Sequence, residues 1–376
     1  MKLLFVTARW DPKDPDSGSG VNFQAYNSLR AWVDDIKIAG PFESQLTLFE
    51  RGLRKAAGLL SKKRFIKFYP SYVKYSNEAV QKIMDEFKPD IIFSKASIPL
   101  VNVKLPVPYV YLSDSTIKWT KENWPQFSRL GMEIMERWEG KVIKKATHII
   151  TFCEANANIL KAYYHKPDEQ ITVHPIPSAL PQELSSFEDN PLSKSNPVKL
   201  LLVGKEYQRK GVDIAIKAAQ ILNDQGIPTQ LRIVGQDGDE SENVKFMGLY
   251  SKNVPAELQA YIDNYRWAHF MIFPTRFDAA AIVPSEAAAF GVPTITNRVG
   301  GLGTTVEDGV SGIVLKKHSP AGAYAETVKD YLENPDAYQA LRTSTFQRYQ
   351  EKLNWYAFGQ QLRKIILDVL DQHKHG

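Results

Sequence analysis

Short apolar runs alternate along this chain with longer stretches of helical period, and the alternation starts afresh past the midpoint. In the first half the apolar runs fall at 3–7, 36–39, 90–93, 109–112, 148–152 and 171–174. Runs this short and this continuous suit strands buried on both faces of a parallel sheet. Helical spacing fills 23–32, 77–87, 127–145 and 156–164. A stretch rich in Pro, Ser and acidic residues, 175–197, has no period and reads as a linker. Beyond it, strands are predicted at 199–203, 230–234, 244–247, 270–273, 293–296 and 312–315. Helices are predicted at 212–222, 257–264, 322–332, 337–352 and 355–370, the last with Phe358, Leu362, Ile365, Ile366 and Val369 at helical spacing. Strands that alternate with helices in this way predict an α/β chain of two doubly wound domains. The expected boundaries are 1–185, joined by the C-terminal helix 355–376, and 186–354.

Length agrees, since 376 residues exceed one typical core. A hydrophobic content of 43% with 24% charged residues is that of a water-soluble globular protein. The single cysteine, Cys153, excludes an intrachain disulfide and fits a reducing cytoplasm. It closes the run 148–152 and reads as core rather than as a nucleophile. The first apolar run is too short for a signal peptide, and no run approaches the ~18 residues of a membrane span. A net charge of +5 without a nucleic-acid-binding motif argues against a nucleic-acid partner. The histidines are scattered without ligand spacing, so no metal site is expected.

The most informative segment is 274–291. It leaves the apolar run 270–273, passes a small-residue turn with Asp278, and enters a helix at Pro284 that carries Glu286. A strand–turn–helix of this kind aims free backbone N–H groups, here near Ile282 and Val283, at whatever lies over the turn. A carboxylate one turn into the helix suits a neighbouring diol. The same residues also make an ordinary connection with a solvated Asp and a capping Glu. A second turn, 203–211, holds Gly204, Lys205, Arg209, Lys210 and Gly211. Lys205 and Lys210 are placed to neutralise a diphosphate, with Arg209 facing away; a solvated basic turn is the plainer alternative. Small residues at 14–22, among them Gly18 and Gly20, form a loop of lower specificity. Asp114 and Ser113 lie at the end of the run 109–112, where Asp114 either faces a ligand or caps the next segment. From Arg51 to Lys74 eight cations and no acid interleave with apolar residues, which suits an anionic membrane surface or a solvated helix.

Together these residues resemble the family 4 retaining glycosyltransferases of the GT-B fold. The resemblance covers most of the chain and rests on three features. They are Gly204-Lys205 with Lys210-Gly211, the acid pair Asp278 and Glu286, and Gly300-Gly301 followed by Glu307-Asp308-Gly309. It implies two Rossmann-like domains facing across a cleft, with the last helix crossing back to the first. It implies a nucleotide-diphosphate sugar as donor substrate, no metal cofactor, and transfer of a hexose to a glycan or lipid-linked acceptor. The setting implied is cell-surface polysaccharide or glycolipid synthesis, in the cytoplasm or peripherally at the inner membrane face through 51–74.

By the same resemblance, Lys205 and Lys210 hold the diphosphate, Glu286 the ribose, and Asp278 lies by the transferred sugar. Backbone groups at Ile282, Val283, Gly204, Gly18, Gly20, Gly235 and the neighbourhood of Met247 line the donor. The chain departs from the family where Asp278 replaces Glu and Lys205 replaces Arg, and where 111–114 has no His. Asp114 is the candidate for that last position and Ser113 the second. A phosphorylase or epimerase on the same fold, and a non-catalytic nucleotide-sugar-binding protein, stand as alternatives.

Overall fold

The computed structural model describes residues 1–43, 46–60 and 64–375. The chain divides into two compact units, Met1–His174 with Gly359–Gly376, and Pro175–Phe358.

The first unit is built on β1 (Lys2–Val6), β2 (Asp35–Ala39), β3 (Ile91–Ser94), β4 (Tyr109–Ser113), β5 (His148–Thr151) and β6 (Ile171–Val173). They form one parallel sheet in the order β2-β1-β3-β4-β5-β6. Every residue of β3 and β4 is buried, which is why these strands read as unbroken apolar runs. Helices take up the intervening chain. Leu48–Leu60 covers the start of the basic stretch, for which a solvated helix was one of the two readings, and Ile117–Asn123 was not foreseen. The second is short and starts where the Thr116 hydroxyl accepts the Trp119 N–H.

The second unit contains β7 (Val198–Val203), β8 (Thr229–Val234), β9 (Val244–Phe246), β10 (Phe270–Phe273), β11 (Thr294–Asn297) and β12 (Gly312–Leu315). All pairings are parallel, in the order β12-β11-β10-β7-β8-β9. Its core fills both faces of the sheet. Leu201, Val203, Met271 and Phe273 point to one side and Leu200, Leu202, Phe270 and Ile272 to the other, the period-two alternation of a strand.

The predicted linker is not free. Leu180 and Leu192 are core residues of the second unit, and Ser178 N–H donates to the Leu353 carbonyl. Residues 175–185, expected with the first domain, therefore pack on the second, because their apolar side chains find its core. The last helix, Trp355–His375, enters the first unit at Gly359, where Ser28 of the helix Val21–Arg30 packs against it. Among the described residues no helix is long and apolar enough to cross a membrane.

Candidate functional site

In the second sheet the strand order reverses between β7 and β10, which lie side by side. Ligands of open α/β sheets bind beyond the carboxyl ends at such a switch point. The loops that leave these two strands are pressed together at Gly211. Its φ is +71°, and a Cβ there would stand 2.1 Å from the Pro274 carbonyl oxygen. Further bonds stitch the loops. Arg276 N–H and the Thr275 hydroxyl both donate to the Arg209 carbonyl, at 2.8 and 2.9 Å. The Arg276 guanidinium grips both oxygens of Asp213.

The consequence is a buried ion pair. The Lys210 ammonium makes a short contact with Asp278 Oδ2 and lies 4.8 Å from the centre of the Phe273 ring. Its stem lies against Gly204, where a Cβ would come within 2.8 Å of the Lys210 Cγ. Burial holds Lys210 below the ordinary lysine range, while Asp278 works against that shift. Arg209 does not face away as expected. It donates to the Phe277 carbonyl at 3.2 Å and lies 3.5 Å from Asp278 Oδ2, because the loop after β10 folds over it. Lys205 is exposed and has no hydrogen-bond or ion-pair partner among the described residues.

Glu286 sits in the first turn of the helix Val283–Ala288 and is wholly buried. Tyr261 and Tyr265 both donate to its Oε2, at 2.7 and 2.9 Å, and the Lys252 ammonium donates to Oε1 at 2.6 Å. A buried carboxylate needs such partners. None of the three was singled out from the sequence. The signal for the tyrosines was their spacing of four on the helix Pro255–Trp267, which puts both on one face. Nothing local pointed to Lys252. The N–H groups of Ala281, Ile282 and Val283, where the chain enters this helix, have no hydrogen-bond partner among the described residues.

Gly235 and Met247 lie at the same end of the sheet. Gly235 N–H donates to the Gly248 carbonyl, and Met247 N–H donates to the Ile233 carbonyl. The Gln236 amide reaches the Gly204 carbonyl at 2.7 Å. The Glu307-Asp308-Gly309 segment has a structural role. Glu307 pairs with Arg348, and Asp308 accepts the Val314 N–H.

The remaining candidates belong to the first unit. Gly18 and Gly20 form a turn ahead of the helix Val21–Arg30. Asp114 Oδ2 pairs with Lys95 at 2.5 Å, and its Oδ1 is buried without a partner. Ser113 is buried in β4 with the Asn156 amide 3.5 Å away, so it is part of the interior. Cys153 is buried too, its thiol pushed up to about 11 mainly by burial, which leaves it inert as a nucleophile. The basic stretch 51–74 falls partly outside the described residues, at 61–63. Of its apolar residues, Ile66, Phe68, Tyr69 and Tyr72 are core of the first unit and cannot face a membrane.

Two parallel Rossmann-like sheets in tandem, with the last helix returned to the first unit, define the GT-B fold. Residues 186–348 match the family described as glycosyl transferases group 1. The D-inositol 3-phosphate glycosyltransferase 1 of Catenulispora acidiphila is 29% identical over 237 residues, 56% of this chain and 54% of that protein. The chain thus spans about half the length of the curated relatives it matches. The sucrose-phosphate synthase of Thermosynechococcus elongatus superposes with a TM-score of 0.72 at 17% identity, over 99% of this chain and 100% of that one. Anabaena Alr3699/HepE in complex with UDP-glucose superposes with a TM-score of 0.64 at 13% identity, over 98% and 100%.

Proposed function

We propose that the chain is a glycosyltransferase that takes a hexose from a nucleoside-diphosphate sugar at the β7–β10 switch point. The supporting observation is the convergence there of Lys210, Arg209, Asp278 and Glu286 on two stitched loops. That a fold neighbour was solved with UDP-glucose makes uridine nucleotides the first donors to try.

In this reading Lys210 stabilises the leaving diphosphate, assisted by Lys205 and by the N–H groups at Ile282 and Val283. Fixed charge aimed at a departing group acts most strongly in the transition state. Positive charge from lysine stands in for a metal ion, so turnover should survive a chelator. Asp278 keeps the ammonium in place and lies by the hexose. Glu286 takes a ribose hydroxyl on Oε1, because the tyrosines fill Oε2. Lys252 must then swing off Oε1 when donor binds.

Transfer proceeds with retention. The bond from the anomeric carbon to the phosphate oxygen breaks, and the acceptor oxygen bonds to that carbon on the same face. The acceptor proton passes to the departing phosphate oxygen. The acceptor is a glycan or lipid-linked hydroxyl compound held by the first unit. Leu48 and Phe49, exposed near Arg51, Arg54 and Lys55, are the residues for peripheral contact with an anionic membrane. Co-sedimentation with anionic vesicles that Leu48→Ser and Phe49→Ser leave unchanged would exclude them.

The test of the donor reading is a thermal-shift panel of UDP, GDP, ADP, CMP and their sugar conjugates on wild type and on Glu286→Ala. A ligand at ~100 times its dissociation constant adds ~2.7 kcal/mol of stability. One nucleotide should stabilise the wild type and the variant much less. No stabilisation by any of them would overturn the reading.

A further inference from the structure

The buried ion pair after β7 and β10 has a third member. Asp278 Oδ2 is shared by two cations, the Lys210 ammonium in short contact and Arg209 Nη1 at 3.5 Å. All three side chains are largely withdrawn from water, with 11% of Lys210, 13% of Asp278 and 18% of Arg209 exposed. The other acid that Arg209 meets, Glu206, is 59% exposed. Water and salt screen that pair, so it weighs little. The buried group therefore holds two cations against one carboxylate.

The two cations are held differently. Arg209 is fixed to the loop after β10. Its Nη1 donates to the Phe277 carbonyl at 3.2 Å, and its own carbonyl accepts the Arg276 N–H and the Thr275 hydroxyl. It faces Asp278 whether or not Lys210 does. Lys210 is held by its stem, which lies against Gly204, and Asp278 is the one hydrogen-bond partner of its ammonium among the described residues. Burial first, and then Arg209, draw Lys210 below the ordinary lysine range against the pull of Asp278. Lys210 is thus the cation that can turn away, by rotation near the end of its stem. Removing the partner of a buried carboxylate is strongly destabilising when nothing replaces it. Here a replacement already stands at the same oxygen.

We propose that Arg209 is a positioning residue that takes over Asp278 when the Lys210 ammonium turns to the donor diphosphate. The lysine charge is then released to the leaving group without stranding a buried carboxylate. This rests on reading the β7–β10 switch point as the donor site. It adds how the charge is freed there, and it gives Arg209 a role that acts through Asp278 rather than on the donor itself.

The experiment is calorimetric titration of UDP into the full chain as wild type, Arg209→Gln, Asp278→Asn and the double variant, with melting temperatures recorded alongside. The expected result is that Arg209→Gln weakens UDP about tenfold or more (~1.4 kcal/mol or more) while Asp278 is present, and less than about threefold once Asp278→Asn has removed the charge to be taken over. Such non-additivity marks residues that act through one another. Arg209→Lys brings a cation back to Asp278 without the fork on the Phe277 carbonyl, and it should retain most of the affinity. Arg209→Met, which keeps the stem, replaces Arg209→Gln in the cycle if that variant does not fold. Equal losses in the two backgrounds, or an Arg209→Lys no better than Arg209→Gln, overturn the proposal and leave the donor reading standing, with Arg209 a clamp on its loop. If UDP does not bind the wild type, the donor reading falls. Inorganic pyrophosphate then takes the place of UDP in the same cycle. Coupling there upholds the role of Arg209, and additivity or absence of binding overturns it.

Discussion

At the scale of single residues, Lys210 carries the account. Replacing its ammonium by the methionine thioether keeps the stem that lies on Gly204 and removes the charge that faces Asp278. The expected outcome for Lys210→Met is a fall in kcat/KM of about a hundredfold or more, ~3 kcal/mol, with a folded protein by circular dichroism. Near-wild-type turnover would remove Lys210 from the chemistry. His269 offers a check on the scaffold beneath the site. Its Nδ1 accepts the Lys199 N–H at 3.0 Å, which ties the start of β10 to β7. Burial, with Lys199 and Arg342 adding to it, lowers His269 from 6.5 to about 4. The folded state therefore favours neutral imidazole. Its contribution is full above about pH 6.5 and is lost as pH falls toward 4, a change on the order of 3 kcal/mol. His269→Asn, which keeps an acceptor near Nδ1, should flatten that part of the stability profile. An unchanged profile would mean the imidazole is free to protonate.

The elements show how far sequence pattern reaches. Each strand of both sheets coincides within a residue or two with an apolar run; the signal is unbroken in central strands such as β3, β4 and β10, which are buried on both faces. The helix Leu48–Leu60 was legible only as one of two readings of the basic stretch, and Ile117–Asn123 was missed. The first is largely solvent-facing over its described side chains and rich in charge, and the second is about two turns long and set by its cap. The motif residues after β7 and β10 were legible, since each sits at a strand end. Their partners were not. Lys252 lies 34 positions from Glu286, and Arg209 turns inward only because the chain 68 and 69 positions on folds over it. Such contacts are products of topology rather than of local pattern. Gly211 is where topology meets local geometry, and Gly211→Ala tests it. The added Cβ would strike the Pro274 carbonyl at a left-handed φ, so the loops must separate. A melting-temperature loss equivalent to ~1–3 kcal/mol is expected, with weakened nucleotide binding. A variant as stable and as tight-binding as wild type would show that the loops are not clamped there.

At the scale of the whole molecule, the chain leaves the first unit after His174 and returns to it at Gly359. Leu362 and Ile366 of the last helix are wholly buried and Val369 nearly so. Arg363 lies over the Trp32 ring. Burying three such apolar side chains is worth roughly 5–8 kcal/mol, comparable with the full stability of a domain. A chain ended at Phe358 should therefore lose the cooperative unfolding of its first unit, seen as lost hydrogen-exchange protection in β1–β6. Full protection there would mean the returning helix is dispensable. The foreseen return of this helix rested on resemblance to a family. Its apolar stripe shows only that it covers something, not what.

The measurement that bears most directly on the central claim is calorimetric titration of UDP and UDP-glucose, at low salt and with a chelator present, into wild type, Lys210→Met and Glu286→Gln. The account predicts micromolar-range binding by the wild type without metal, weakened about tenfold or more by each substitution (~1.4 kcal/mol or more). Lys252→Ala, which uncovers Glu286 Oε1, should bind at least as tightly as wild type. Binding that neither Lys210→Met nor Glu286→Gln changes would place the nucleotide elsewhere and contradict the assignment of the β7–β10 switch point as the donor site.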